Sequence, residues 1–95
     1  MYIRVMEFEW DEAKRLTNLT KHDIDFLRMR LIFDGRPTVT APSQRGDEVR
    51  NVTTGVIDDR FYTVIWVWRG ENIRLISARR SRDGEKRAYR SLHNG

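Results

Sequence analysis

The sequence predicts an α+β fold: an antiparallel sheet with two N-terminal helices packed on it and one C-terminal helix. Three observations carry that prediction. Residues 49–57, 61–68 and 72–79 are β-prone runs separated by Asp58-Asp59-Arg60 and Arg69-Gly70-Glu71, connections short enough to join antiparallel neighbours in a meander. Helical patterning falls before and after this block, in residues 11–33 and 83–92. Within the middle run, Phe61, Thr63, Ile65 and Val67 share one face while Tyr62, Val64, Trp66 and Trp68 share the other. Both faces are apolar, which marks either a central strand covered on two sides or a face reserved for a partner.

Taken in order, Tyr2, Ile3, Val5, Phe8 and Trp10 suit a short first strand, with Met6 an alternative start. Asp11 reads as a helix N-cap, and Glu12 follows in the first turn, where negative charge meets the helix dipole favourably. That helix is expected to run to about Thr20, burying a stripe of Ala13, Leu16 and Leu19 and turning Lys14, Arg15 and Asn18 to water. Lys21-His22-Asp23 breaks the period, and a second apolar set (Ile24, Phe26, Leu27, Leu31, Ile32, Phe33) suits a short helix entered at Asp23 or Asp25. Asp34-Gly35-Arg36-Pro37 forms a turn, Thr38 to Ala41 a brief edge strand between two prolines, and Ser43 to Asp47 a polar loop. The last helix, residues 83–92, carries Ala88 and Leu92 on its apolar stripe with Tyr89 beside them.

A chain of 95 residues is expected to form a single domain over residues 1–95, since two cores would each be too small. Three Trp, four Phe and three Tyr fill a core despite 34% charged residues. With 0 Cys there is no disulfide framework, thiolate nucleophile or Cys-ligated zinc. No apolar run reaches the roughly 18 residues that would span a bilayer, and Arg4 and Glu7 interrupt the first ten residues, so a cytoplasmic protein without membrane contact is expected. The net charge of +4 is uneven: residues 69–95 hold eight Lys or Arg against three acids. Such a face suits phosphate or an acidic partner.

Arginine is the abundant chemical resource, from position 45 onward at 45, 50, 60, 69, 74, 79, 80, 82, 87 and 90. Guanidinium binds phosphate bidentately and stabilises the charge of a pentacoordinate phosphorane without a metal. Strand alternation puts Arg79 with Ile73, Leu75 and Ser77, and Arg80 with Arg74, Ile76 and Ala78, so only one of the pair enters a given site. His22 beside Lys21 supplies a group that exchanges protons near neutrality, unless the two simply cap the helix C-terminus. His93 lies near the chain end. No pair of carboxylates or histidines stands at a metal-ligand spacing, no Gly-rich phosphate loop appears, and no cofactor is called for. Tyr62, Trp66 or Tyr89 can stack on unpaired bases, although each also serves as an ordinary core residue.

Three blocks, Phe8-Glu9-Trp10-Asp11-Glu12-Ala13-Lys14, Asn18-Leu19-Thr20-Lys21-His22-Asp23-Ile24-Asp25-Phe26 and Ile73-Arg74-Leu75-Ile76-Ser77-Ala78-Arg79-Arg80, followed by Glu85 and Tyr89, together resemble the BrnT toxins of bacterial type II toxin-antitoxin systems. The resemblance implies a RelE-like fold and a cytoplasmic endoribonuclease that arrests translation. It implies as partners an RNA substrate and a BrnA-like ribbon-helix-helix antitoxin in a hetero-oligomer, with operator DNA reached only through that antitoxin. The family's residues carry over as Lys21, His22, Arg79, Arg80, Glu85 and Tyr89 for catalysis, with no metal. Arg60, Arg74, Arg82, Lys86 and Arg87 are basic additions for the RNA phosphates. His22 or Lys21 would transfer protons, Arg79 and Arg80 hold the phosphate and Tyr89 orient the substrate.

Two departures from the family pattern stand out. Asp23 occupies the position of a helix-ending Gly and adopts a left-handed conformation less easily, so it is expected to cap the next helix instead. Arg82 stands where Ser or Thr would open a capping box, leaving Ser81 or Asp83 to cap. The last helix is then either less rigid than in relatives or ordered by the antitoxin. A non-catalytic nucleic-acid-binding or antitoxin-binding module acting in operon regulation is the other class this basic face fits.

Overall fold

The computed structural model describes residues 7–93. Its elements in chain order are β1 (Phe8–Glu9), α1 (Glu12–His22), α2 (Phe26–Met29) running into a 3-10 turn (Arg30–Phe33), β2 (Thr38–Arg45), β3 (Glu48–Ile57), β4 (Arg60–Arg69), β5 (Asn72–Arg80) and α3 (Asp83–His93). The strands form one sheet in the order β1-β5-β4-β3-β2, antiparallel except for the parallel β1–β5 pair. The α+β class, the terminal helices and the meander follow the sequence prediction. Tyr2, Ile3, Val5 and Met6 lie outside the described residues, so of the expected first strand only Phe8–Glu9 is seen.

Asp11 caps α1 as expected, its Oδ1 accepting from the N–H groups of Ala13 at 2.8 Å and Lys14 at 3.4 Å. The helix runs past Thr20 to His22, because Asp23 itself takes the left-handed cap conformation (φ 56°, ψ 38°) and donates its N–H to the Leu19 carbonyl at 2.8 Å. Asp23 therefore closes α1, and Asp25 opens α2 by accepting from the Leu27 N–H at 3.0 Å.

Of the apolar stripe expected on α1, only Leu19 turns inward, and Ala13 is exposed. Leu16 is 52% exposed, whereas Asn18 is buried. The inward face is Arg15, Asn18, Leu19 and His22, which recur at helical spacing. Arg15 donates from Nε and Nη2 to Asp25 at 2.8 and 3.0 Å, and Asn18 accepts from the Ala78 N–H of β5 and donates to the Ile24 carbonyl, both at 3.1 Å. Asn18 thus satisfies a β5 backbone donor that no strand covers, since β1 reaches only Ile73 and Arg74. Polar pairing docks α1 on the sheet.

The apolar work falls to the segment after it. Ile24, Phe26, Met29 and Ile32 are buried against Ile57, Tyr62, Val64, Trp66, Ile73, Leu75 and Ala78 from β3, β4 and β5. Leu27 and Leu31 remain about two-fifths exposed. Gly55 admits the close approach of Ile32, whose Cδ1 would lie 2.8 Å from a Cβ placed there.

The expected polar loop from Ser43 to Asp47 is also corrected. Ladder pairs continue through Ser43↔Arg50 to Arg45↔Glu48, so β2 ends only at the Gly46-Asp47 turn. Pro42 is tolerated because β2 is an edge strand, with one side free of ladder bonds. On α3, Ala88 is exposed and Leu92 is 65% exposed. Tyr89 makes the contact instead, its ring edge-on to Phe61 at 5.3 Å, and a His93 ring nitrogen lies 2.9 Å from the Thr38 carbonyl oxygen.

One irregularity decides where the arginines point. The β4–β5 register shifts between Ile65 and Trp66, pairing Ile65 with Ser77 but Trp66 with Leu75 and leaving Ile76 as an extra residue. Alternation assigned Arg79 to the side of Leu75 and Arg80 to that of Arg74. The bulge reverses this: Arg74 and Arg79 share the face of Val67 and Thr63, while Arg80 joins Leu75 and Ala78 on the face of Tyr62 and Val64.

Candidate active site

On the Thr63 face, Arg79 is held by Glu85 from the first turn of α3. Arg79 Nη1 and Nη2 donate to Glu85 Oε1 and Oε2 at 2.7 and 2.9 Å, a bidentate pair with about a fifth of each side chain exposed. Glu85 also accepts from the Thr63 hydroxyl at 3.0 Å and the Arg82 N–H at 2.8 Å. Thr63, fully buried, is bonded in turn to the hydroxyls of Thr54 at 3.1 Å and Ser81 at 2.7 Å. Burial pushes the Glu85 carboxyl upward, but the donors Arg79, Arg82 N–H and Thr63 outweigh it and bring the pKa down to about 2. Glu85 is therefore a fixed anion at neutral pH, and its geometry positions Arg79.

The same contact answers the question of the missing cap. Glu85 reaches back to the Arg82 N–H, the carboxylate half of a capping box, while Ser81 gives its hydroxyl to Thr63 and Asp83 lies inside the helix. Neither Ser81 nor Asp83 takes the capping role expected of it.

Arg79 opens into a hollow of about 250 Å³ that Arg45, Arg50, Arg82, Ser43 and Ser77 also line, with Val52 and Ile65 completing it. Arg50 is steadied by Glu48 at 3.0 Å. Among the described residues, the guanidinium groups of Arg45 and Arg82 have no ion pair. Four guanidinium groups and two hydroxyls around so small a space suit one tetrahedral dianion or a phosphodiester. Arg45 and Arg50 stood only in the arginine inventory of the sequence. The alternation of Ser43 and Arg45 ahead of a Gly-Asp turn was the signal that could have found them.

A second hollow, of about 300 Å³, adjoins it through the shared Ser77 and is lined by Lys21, His22, Asn18 and Ile76. The last turn of α1 puts the Lys-His pair there, with the Asp23 cap ending the helix beneath it. The structure thus brings Lys21 and His22 to one side of Ser77 and Arg79, Arg82 and Glu85 to the other.

The remaining sequence candidates lie elsewhere. Arg80 turns to the opposite face, its guanidinium 5.4 Å from the Tyr62 ring centroid, where Arg28 also lies at 5.8 Å. Arg60 is exposed at the start of β4 and paired with Ile57. Arg74 is bound to Glu9 at 3.2 Å. Lys86 sits 6.0 Å over the Phe61 ring that Tyr89 meets edge-on, and Arg87 is exposed. Tyr62 and Trp66, considered as stacking platforms, are buried in the core. Among the described residues no three His, Asp or Glu side chains group as metal ligands, and no helix is long and apolar enough to cross a membrane.

A protein-family model described as "Ribonuclease toxin, BrnT, of type II toxin-antitoxin system" matches residues 10–85. The span takes in the Lys21-His22 pair, the whole meander and Glu85, and stops before Tyr89. No curated protein matches the chain.

Proposed function

The chain belongs to the BrnT family of ribonuclease toxins of type II toxin-antitoxin systems, and on that premise we propose that it is a metal-independent endoribonuclease with a RelE-like fold. It acts in the cytoplasm, arresting translation and growth. The observation that carries the reading is the Arg79–Glu85 pair in a hollow lined by Arg45, Arg50 and Arg82, next to Lys21 and His22.

The chemistry is phosphodiester transesterification. His22 or Lys21 removes the proton of a ribose 2′-OH, and the oxygen attacks the adjacent phosphorus. The bond from phosphorus to the 5′ oxygen breaks, and the leaving oxygen takes a proton from the second of these groups. The products are a 2′,3′-cyclic phosphate and a free 5′-OH. Arg79, with Arg45, Arg50 and Arg82, stabilises the charge that builds on the phosphoryl oxygens in flight, and Glu85 keeps Arg79 from swinging away. Tyr89 orients the substrate, Arg74, Lys86 and Arg87 hold its backbone, and Arg80 and Arg60 act on RNA bound beyond the hollow.

Membership of a type II system implies an antitoxin partner; we take it to be a BrnA-like ribbon-helix-helix protein that covers the basic face. Expression of the chain in bacteria tests the reading. Growth arrest that His22→Ala and Arg79→Ala each relieve, and that the neighbouring antitoxin gene suppresses, is the expected outcome. Arrest that survives both substitutions in soluble, folded protein would remove this site.

A further inference from the structure

We infer that the free edge of β2 takes up an extended, acidic segment of the antitoxin as an added strand, and that the segment's carboxylates close the arginine hollow. Pro42 sits in unbroken register with β3, within a ladder running from Thr38↔Gly55 to Arg45↔Glu48, although it has no N–H to give. The ladder is complete only if Val39, Ala41, Ser43 and Arg45 exchange bonds with β3, which turns the backbone groups of the even positions outward. The Thr38 carbonyl agrees, since a His93 ring nitrogen lies 2.9 Å from its oxygen. Beyond this cap, Thr40 and Gln44 each offer an N–H and a carbonyl to the outside, and Pro42 offers a carbonyl. Among the described residues no other strand or loop backbone meets them. Donors and acceptors that alternate at strand spacing are matched by a peptide backbone.

The same edge is one wall of the hollow. Val52, Ile65 and Ser77 of its lining are register partners in one row across the sheet, and the next residue of that row is Ala41 of β2. Ser43 and Arg45 share that face, and the exposed Arg45 has no ion pair among the described residues. A strand added about 4.8 Å beyond β2 aligns every second side chain with Ser43 and Arg45. Carboxylates at those positions pair with Arg45 and overhang the mouth through which a phosphate enters.

Charge and backbone chemistry select this occupant over others. A second copy fits worse, because β2 itself holds Arg45 and no acid. A nucleic-acid strand has no ladder of N–H and C=O groups to offer the edge. The inference rests on membership of a type II system, which supplies a protein partner, and names the part of that partner the edge accepts.

The test uses the whole chain and the antitoxin encoded beside it, with binding measured by titration calorimetry. Gln44→Pro deletes one outward N–H at an exposed position and keeps the ladder to β3, as Pro42 does. It should weaken binding about tenfold or more while the free protein cleaves RNA at the wild-type rate. Gln44→Ser, which retains the N–H, should bind like wild type, and Arg45→Glu should weaken binding by a factor similar to that of Gln44→Pro. In the wild-type complex the amide hydrogens of Thr40 and Gln44 should exchange more slowly than in the free chain. No binding by wild type, undiminished binding by Gln44→Pro or Arg45→Glu, or unchanged exchange at both amides overturns the inference. So does an edge filled by self-association, in which Gln44→Pro dissolves a dimer and leaves antitoxin binding intact. The two readings fail separately. Gln44-dependent antitoxin binding by a chain that cuts no RNA sinks the ribonuclease and keeps the edge, whereas cleavage neutralised equally in wild type and Gln44→Pro does the reverse.

Discussion

Glu85→Gln perturbs the point on which the site turns. The substitution keeps the side-chain volume and one carbonyl acceptor for the Arg82 N–H, but it sets an amide donor against the Arg79 guanidinium, where the structure has two charge-assisted bonds at 2.7 and 2.9 Å. The carboxyl pKa falls from 4.5 to about 2 in the folded chain. By linkage that shift is worth at most about 3 kcal/mol, and screening at a site partly open to water brings it to roughly 1–2 kcal/mol. The sign follows from the depressed value: the contribution is complete above the unfolded pKa near 4.5 and disappears as pH falls through about 2. Denaturant unfolding of both proteins across pH 2 to 7 measures it. The variant should be less stable by about that amount at pH 7 and approach wild type as the pH nears 2. A pH-independent difference, or none at pH 7, would refute the assignment of Glu85 as the charged anchor of Arg79.

Asn18→Ala leaves both the Ala78 N–H and the Ile24 carbonyl without their partner at a buried position, and should cost about 2–4 kcal/mol in chemical denaturation. A loss below that of an ordinary surface substitution would mean that α1 is not docked through Asn18. Asp23→Gly relieves a side chain held at φ 56° and should raise stability by about 0.5–1 kcal/mol. A melting temperature that fell would show that Asp23 contributes a contact outweighing the strain.

What could be read in advance was local. Asp11 and Asp25 cap because a short acceptor side chain precedes a helical pattern, and the hairpins follow from tight turns between β-prone runs. What escaped depends on the third dimension. Helical periodicity selected Ala13, Leu16 and Leu19 as the buried stripe of α1, yet a free β5 edge needs a hydrogen-bonding side chain, which Asn18 supplies. Alternation separated Arg79 from Arg80 correctly and kept Ser77 and Ala78 with them, but exchanged Arg74 and Leu75, because a bulge at Ile76 leaves no mark in composition. The same blindness hid Arg45 and Arg50, which join the site only through the β2–β3 register. The Lys21-His22 pair and the Arg79–Glu85 pair were legible as residues, whereas the placing of Lys21, His22 and Arg79 along two hollows that share Ser77 was not.

Incubation of the purified chain with single-stranded RNA in EDTA, beside Arg79→Ala protein verified as folded, tests the central claim most directly. Wild type should yield fragments ending in 2′,3′-cyclic phosphate, and Arg79→Ala should yield them at a rate lower by about 100-fold or more. RNA left intact by the wild type, or cut as fast by Arg79→Ala, would contradict the account.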